Sequence, residues 1–203
     1  MPKKKKGSSK KRSSKRTRLI YISGYEITSD PIPDERYDRL PPPAKEDLRE
    51  LHFLVMTNPR QAISKSLRLI ELFPNLPRLY NYLSVAYHRA GDSKSAEETV
   101  FNAYRRFPDY LFARLNYAEI FLDRREYEKV AEILEYKFDL PLLCPNRSRF
   151  HTSEFVAFAS VMAQYFLGIG KRELAEAMYG MMQEVAPDNL ATLHLHTKLH
   201  RQN

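Results

Sequence analysis

The sequence predicts an all-α protein: an α-solenoid of about four antiparallel helix-hairpin repeats, a C-terminal capping helix and a disordered basic N-terminal tail. Three observations predict it. Small and aromatic residues return in one 34-residue register, most clearly from Pro77 to Pro108, a period that implies stacked helical hairpins. Prolines punctuate that register, Pro74 and Pro108 lying 34 apart. The net charge of +8 is segregated: ten Lys or Arg and no acid fall within residues 1–18, and the remaining chain sets 23 basic residues against 25 acidic ones.

Residues 1–18 (MPKKKKGSSKKRSSKRTR) are expected to be disordered, because like charges repel and nothing apolar offsets the ordering entropy. Residues 19–43 read as a Pro-rich extended linker. Leu19, Ile20, Tyr21, Ile22, Tyr25 and Ile27 form a short apolar segment, and Pro31, Pro33, Pro41, Pro42 and Pro43 keep the rest of the linker extended. We read this segment as draping over the first helices. The alternative is that it occupies the domain's own binding groove until a partner displaces it.

Residues 44–203 form the helical repeat domain, with repeats at about 43–76, 77–110, 111–142 and 156–189. Pro43 precedes a first helix striped with Leu48, Leu51 and Val55 beside Phe53 and Leu54. Asn58-Pro59 supplies an N-cap and first-turn pair for a second helix carrying Ala62, Ile63, Leu67, Ile70 and Phe73 and stopping near Pro74. Gly91 ends the next helix, and Asp92 or Ser93 caps its partner. Asp109 to about Asp123 is the first helix of the third hairpin (Phe112, Leu115, Ala118, Phe121). Glu126–Phe138 is its partner (Val130, Ala131, Leu134, Tyr136). The last hairpin runs Phe155–Leu167, turns at Gly168-Ile169-Gly170, continues Arg172–Val185 and ends at Pro187. Residues 189–201 form a lone helix with Leu190, Leu193, Leu195 and Leu199, placed to cap the open end of the stack. Pro187 lies two periods plus 11 residues beyond Pro108. An insert is therefore expected at 142–153, and its Cys144, Pro145, Asn146, Arg147, Ser148, Arg149 and His151 read as an exposed loop.

The second unit (Tyr80, Leu83, Ser84, Tyr87, Gly91, Ala96, Val100, Ala103, Pro108) resembles a tetratricopeptide repeat. So does the fourth (Met162, Ala163, Phe166, Gly170, Ala175, Tyr179, Met182, Pro187). The third matches at Tyr117, Ala118, Phe121, Val130 and Leu134 but carries Lys137 in place of a small residue, with its proline one place early at Pro141. The first is degenerate: Ala62 and Pro74 fit, but Arg49 and Glu50 stand where a large and a small residue belong. The resemblance implies hairpins whose small residues let two helices approach while large ones fill the gap to the next hairpin. It also implies a concave groove lined by the first helix of each hairpin, holding an extended or helical peptide. The groove residues it implies are Arg78, Asn81, Tyr82, Val85, His88 and Arg89; Phe112, Leu115, Asn116, Glu119, Leu122 and Asp123; and Ala157, Ser160, Val161, Gln164, Leu167 and Gly168. Some members clamp a C-terminal carboxylate with Lys and Asn. Asn116 fits one such place, but Asp47, Leu51, Asn81 and Val85 stand where the others are needed, so that clamp is disfavoured. β-structure between Ala44 and Gln202, or helices collapsed into a compact globule without the hollow inner wall, would remove the adaptor reading.

No catalytic, metal or cofactor constellation is expected. His196 and His200 share a helix face, but Thr197, not Glu, stands after His196. Cys144 and His151 lack a third partner, and six glycines form no phosphate loop. The lone cysteine excludes an internal disulfide and fits a reducing compartment. No apolar run approaches the ~18 residues of a membrane span. The Asn146-Arg147-Ser148 sequon has no export signal to accompany it. The expected partner is a protein or peptide in the groove. Nucleic acid is the alternative, contacted by Lys3, Lys4, Lys5, Lys6, Lys10, Lys11, Arg12, Lys15, Arg16 and Arg18. Those residues also form two import-like clusters, so the expected location is cytoplasmic, or nuclear in a eukaryotic cell; the third reading of the tail is a solubilising segment with no partner.

Overall fold

The computed structural model describes residues 20–22 and 24–200. The basic tail and all ten of its named cations lie outside the described residues. Four helix pairs succeed one another: α2 (Pro42–Thr57) with α3 (Pro59–Leu72), α4 (Pro77–Arg89) with α5 (Ser93–Arg106), α6 (Leu111–Asp123) with α7 (Tyr127–Ile133), and α9 (Thr152–Gly168) with α10 (Arg172–Val185). α11 (Leu190–His200) closes the array against α9 and α10. The first helices touch in series, α2 to α4 to α6 to α9 to α11, whereas the second helices make no comparable contact with one another. Inner helices that meet and outer helices that splay give the stack its curvature.

Local chemistry sets the hairpin boundaries. The Asn58 side chain accepts a hydrogen bond from the Gln61 N–H at 3.2 Å, and Asp92 accepts one from the Ser95 N–H at 3.0 Å, so each caps the helix it precedes. Gly91 (φ +84°), Arg125 (φ +58°) and Gly170 (φ +76°) occupy one place in the register and turn the chain in the left-handed region. The first hairpin differs, and this explains its poor match. A single residue, Asn58, joins α2 to α3, where three residues join each of the other pairs. Counting back across that shorter turn moves the α2 register by two, so Leu48, Leu51 and Val55 take the buried places. Arg49 and Glu50 point to solvent.

Three segments depart from expectation. The second helix of the third hairpin, expected to reach Phe138, stops at Ile133, because Glu135 (φ +55°) and Tyr136 (φ +56°) take left-handed conformations. The Tyr136 N–H closes that turn on the Ala131 carbonyl at 2.8 Å. Arg114, buried at a place the repeat gives to a large apolar residue, donates to Glu135 Oε1 at 2.7 Å and to the Pro108 carbonyl, and so pins the turn. The linker at 19–43 is not wholly extended. It contains β1 (Ile20–Ile22), β2 (Tyr25–Thr28) and the single turn α1 (Glu35–Asp38). The insert at 142–153 is not a fully exposed loop. It contains the end of α8 (Leu140–Leu143) and β3 (Arg149–His151). β2 pairs antiparallel with β1 and parallel with β3, in the register Glu26–Arg149, Ile27–Phe150 and Thr28–His151. Phe150 is fully buried beside Tyr25, ring centroids 5.5 Å apart. This three-residue strand is β-structure inside the helical region. It lies in the insert that adds 11 residues to the 34-residue spacing, between hairpins and inside none of them.

Two cores result. One gathers Leu48, Leu51, Ala62, Leu69, Leu79 and Ala86, with Tyr37 and Leu40 packed against it. The larger is centred on α9, which touches α6, α7, α10, α11, β2 and β3, and it includes Tyr25 and Ile27. Residues 24–40 therefore run from one core to the other.

Candidate groove on the inner helices

The inner wall is built from every third or fourth residue of the first helices, the spacing that puts side chains on one helical face. Of the groove places, α4 leaves Arg78, Asn81, Tyr82, Val85, His88 and Arg89 accessible, and α6 leaves Phe112, Asn116, Glu119 and Asp123. Gln164 continues the line through Val85 and Glu119 on α9. With the two-place shift of α2 allowed, Phe53 extends the same line at the other end, 65% exposed, beside Met56 at 51%. Leu115, Leu122 and Val161 do not line the wall. They are buried in the larger core, where α6 packs against α9.

Hydrogen bonds tie the wall together across helices. Asn116 donates to Asn81 Oδ1 at 2.7 Å, joining α6 to α4. Arg89 donates to the Met56 carbonyl at 3.0 Å, joining α4 to α2. Lys198 donates to Gln164 Oε1, so the capping helix closes the far end. Aromatic pairs stiffen the near end: Tyr82 lies 5.8 Å from the His52 ring, and Phe112 lies 5.8 Å from Tyr110.

The electrostatics arise from the crowding of an inner surface. The Glu119 carboxyl is pushed up to about 7, first by the partial desolvation of the concavity and then by the Asp123 carboxylate one turn away, with Lys198 opposing. Burial also raises the Tyr82 hydroxyl, against the pull of Arg78, and it raises Tyr110 strongly. Arg78 is engaged twice: its guanidinium lies 3.6 Å from Asp34 and 5.1 Å from the Tyr37 ring.

The structure joins Asn81 to Asn116 directly and leaves Arg78, Tyr82, Val85, Arg89, Phe112, Glu119 and Gln164 accessible on the first helices α4, α6 and α9. Phe53, Met56, His52 and Lys198 join them without having been singled out in the sequence. The single-residue turn at Asn58-Pro59 was the available signal for the first three, because it shifts α2 by two places.

Elsewhere the chemistry is sparse. Among the described residues no group of three or more His, Cys, Asp and Glu could hold a metal ion, and no helix is long and apolar enough to cross a membrane. Burial pushes the Cys144 thiol up, away from the thiolate. The His151 ring accepts from the Ser153 N–H and caps α9. His196 and His200 stack at 4.3 Å and edge onto Tyr179. A cavity of about 370 Å³ lies between the start of α6 and the insert, but its two arginines, Arg114 and Arg147, are already paired with Glu135 and Glu154.

No protein-family model and no curated protein matches the sequence. Among solved structures the chain is similar to the MamA RS-1 ArsTM double mutant, with a TM-score of 0.50 and 14% identity over 78% of this chain and 82% of that one. The fold is of the tetratricopeptide type. A thermophilic TPR protein in Thermus thermophilus is also similar, at a TM-score of 0.41 and 16% identity over 76% of this chain and 96% of that one. In a TPR-type fold the first helices of successive hairpins, here α4, α6 and α9, are the inner ones.

Proposed function

We propose that this chain is a non-enzymatic adaptor that holds a peptide or partner protein in the concave face of its repeats. The observation that carries this reading is the inner wall itself. Phe53, Val85 and Tyr82 remain reachable there, beside Asn81, Asn116 and Gln164, on helices whose other faces are core. Aromatic anchors next to amide donors and acceptors are the features of a peptide groove. The test is affinity purification from the native host with nuclease treatment. Tyr82→Ala combined with Phe112→Ala should abolish capture of the protein partner while the far-UV circular dichroism is unchanged. Capture that survives the double substitution rejects the groove. A second reading rests on charge: ten cations in residues 1–18, beside a near-neutral remainder, favour contact with nucleic acid through the tail and recruitment of protein through the repeats.

A further inference from the structure

Residues 29–41 cross from β2 to α2 over the near end of the groove, held by surface contacts: Tyr37 and Leu40 rest on the first core, Arg36 lies over Phe107, and Lys45 donates to the Asp38 carbonyl. None of them is buried, and α1 buries no residue at all. The anchors stand on either side. Ile27 is 1% exposed and paired with β3, and Leu48 is 4% exposed inside the first core. A span tethered at two firm points and loosely seated between them belongs to the low-stability end of a structure. It can lift without unpairing β2 or unwinding α2.

What this span places on the groove is specific. Asp34 accepts from the Arg36 N–H at 3.1 Å and the Tyr37 N–H at 3.4 Å with one carboxylate oxygen, which starts a helical turn. Its other oxygen faces Arg78 at 3.6 Å. The same turn carries Tyr37 three residues on, beneath the Arg78 guanidinium at 5.1 Å and near the Lys45 ammonium at 5.5 Å. A carboxylate and an aromatic ring spaced by three share one helical face. Together they satisfy a cation by ion pairing and by its stacking on the ring. Arg78 is also the first accessible residue of the α4 wall, one turn before Tyr82. The chain thus lays across its own groove a segment with the chemistry of a ligand.

We propose that residues 34–40 are a built-in competitor for the near end of the groove. The partner that displaces them is a peptide presenting an acidic side chain and, three residues later, an aromatic one on a single helical turn. This rests on the groove reading above. Two cations, Arg78 and Lys45, face the turn, so the displacing segment is acidic rather than basic. Binding is limited by the fraction of chains with the strap lifted, since a site populated for a fraction of the time binds more weakly by that fraction.

The probe is a fluorescein-labelled peptide of residues 31–43 (PIPDERYDRLPPP), titrated by fluorescence anisotropy against the full chain. Asp34→Ala with Tyr37→Ala in the chain, which opens the strap, should tighten peptide binding at least tenfold over wild type. Adding Arg78→Ala to the opened chain should reverse that gain. Should the double variant not fold, Asp34→Asn alone serves the same comparison, since it removes the ion pair and leaves Tyr37 in place. Equal affinity for the closed and opened chains overturns the proposal. So does binding indifferent to Arg78→Ala, or an opened chain that dimerises in sedimentation velocity without taking the peptide. The two readings fail separately: partner capture that ignores Tyr82→Ala with Phe112→Ala removes the groove, whereas peptide affinity that ignores the strap removes only the competitor.

Discussion

Arg125 sits at φ +58°, in the place where the hairpins on either side have Gly91 and Gly170. A side chain in the left-handed region brings Cβ close to the neighbouring carbonyl, a strain glycine lacks. Part of the relief is offset because glycine gives the unfolded chain more freedom. Arg125→Gly is therefore expected to stabilise the protein by about 0.5–1 kcal/mol, read as a higher midpoint in urea at unchanged slope. A lower midpoint would mean that Arg125 makes a contact worth more than its strain. The reciprocal position is informative too. A Cβ added at Gly91 meets no atom within 4 Å, so only the backbone conformation asks for glycine there.

At the scale of elements, the segment between the third and fourth hairpins behaves as core and not as loop. Phe150 is fully buried in β3, with Tyr25 edge-on at 5.5 Å and the Arg147 guanidinium over its ring at 4.6 Å. Arg147 is itself held by Glu154, which closes the capping box at the start of α9. Removing the ring takes away the contact that seats β2 on α9. Phe150→Ala should cost about 3–5 kcal/mol, visible as a large fall in Tm. If the segment were a projecting loop, the same substitution would change stability by less than about 0.5 kcal/mol.

At the scale of the molecule, two cores are joined by residues 24–40, with β2 in the larger core and Tyr37 and Leu40 against the smaller. Residues 1–18 and the rest of the chain divide the charge between them, so they should divide any affinity for nucleic acid as well. Deleting residues 2–18 removes ten cations from a chain whose remainder is close to neutral. The deletion should abolish most binding to a nucleic-acid duplex and flatten its dependence on salt, because phosphate neutralisation releases counterions in proportion to the contacts made. Retention that is unchanged, with the same salt slope, would move the contact onto the repeats.

The sequence by itself determined the hairpins, their order and the faces their helices turn to the core. Each of these depends on residues within one 34-residue period: Asn58, Asp92, Gly91 and Gly170 mark the turns, and the periodicity of apolar residues along a helix marks its faces. What only the tertiary structure decided is where distant segments meet. The pairing of Ile27 with Phe150 joins residues 123 apart, and the seating of Asp34 and Tyr37 on Arg78 joins a Pro-rich stretch to the inner helix of the second hairpin. No local pattern encodes either contact. A short strand is stable only once its partner and the surface beneath it exist, and a turn without buried residues takes the position its neighbours leave open.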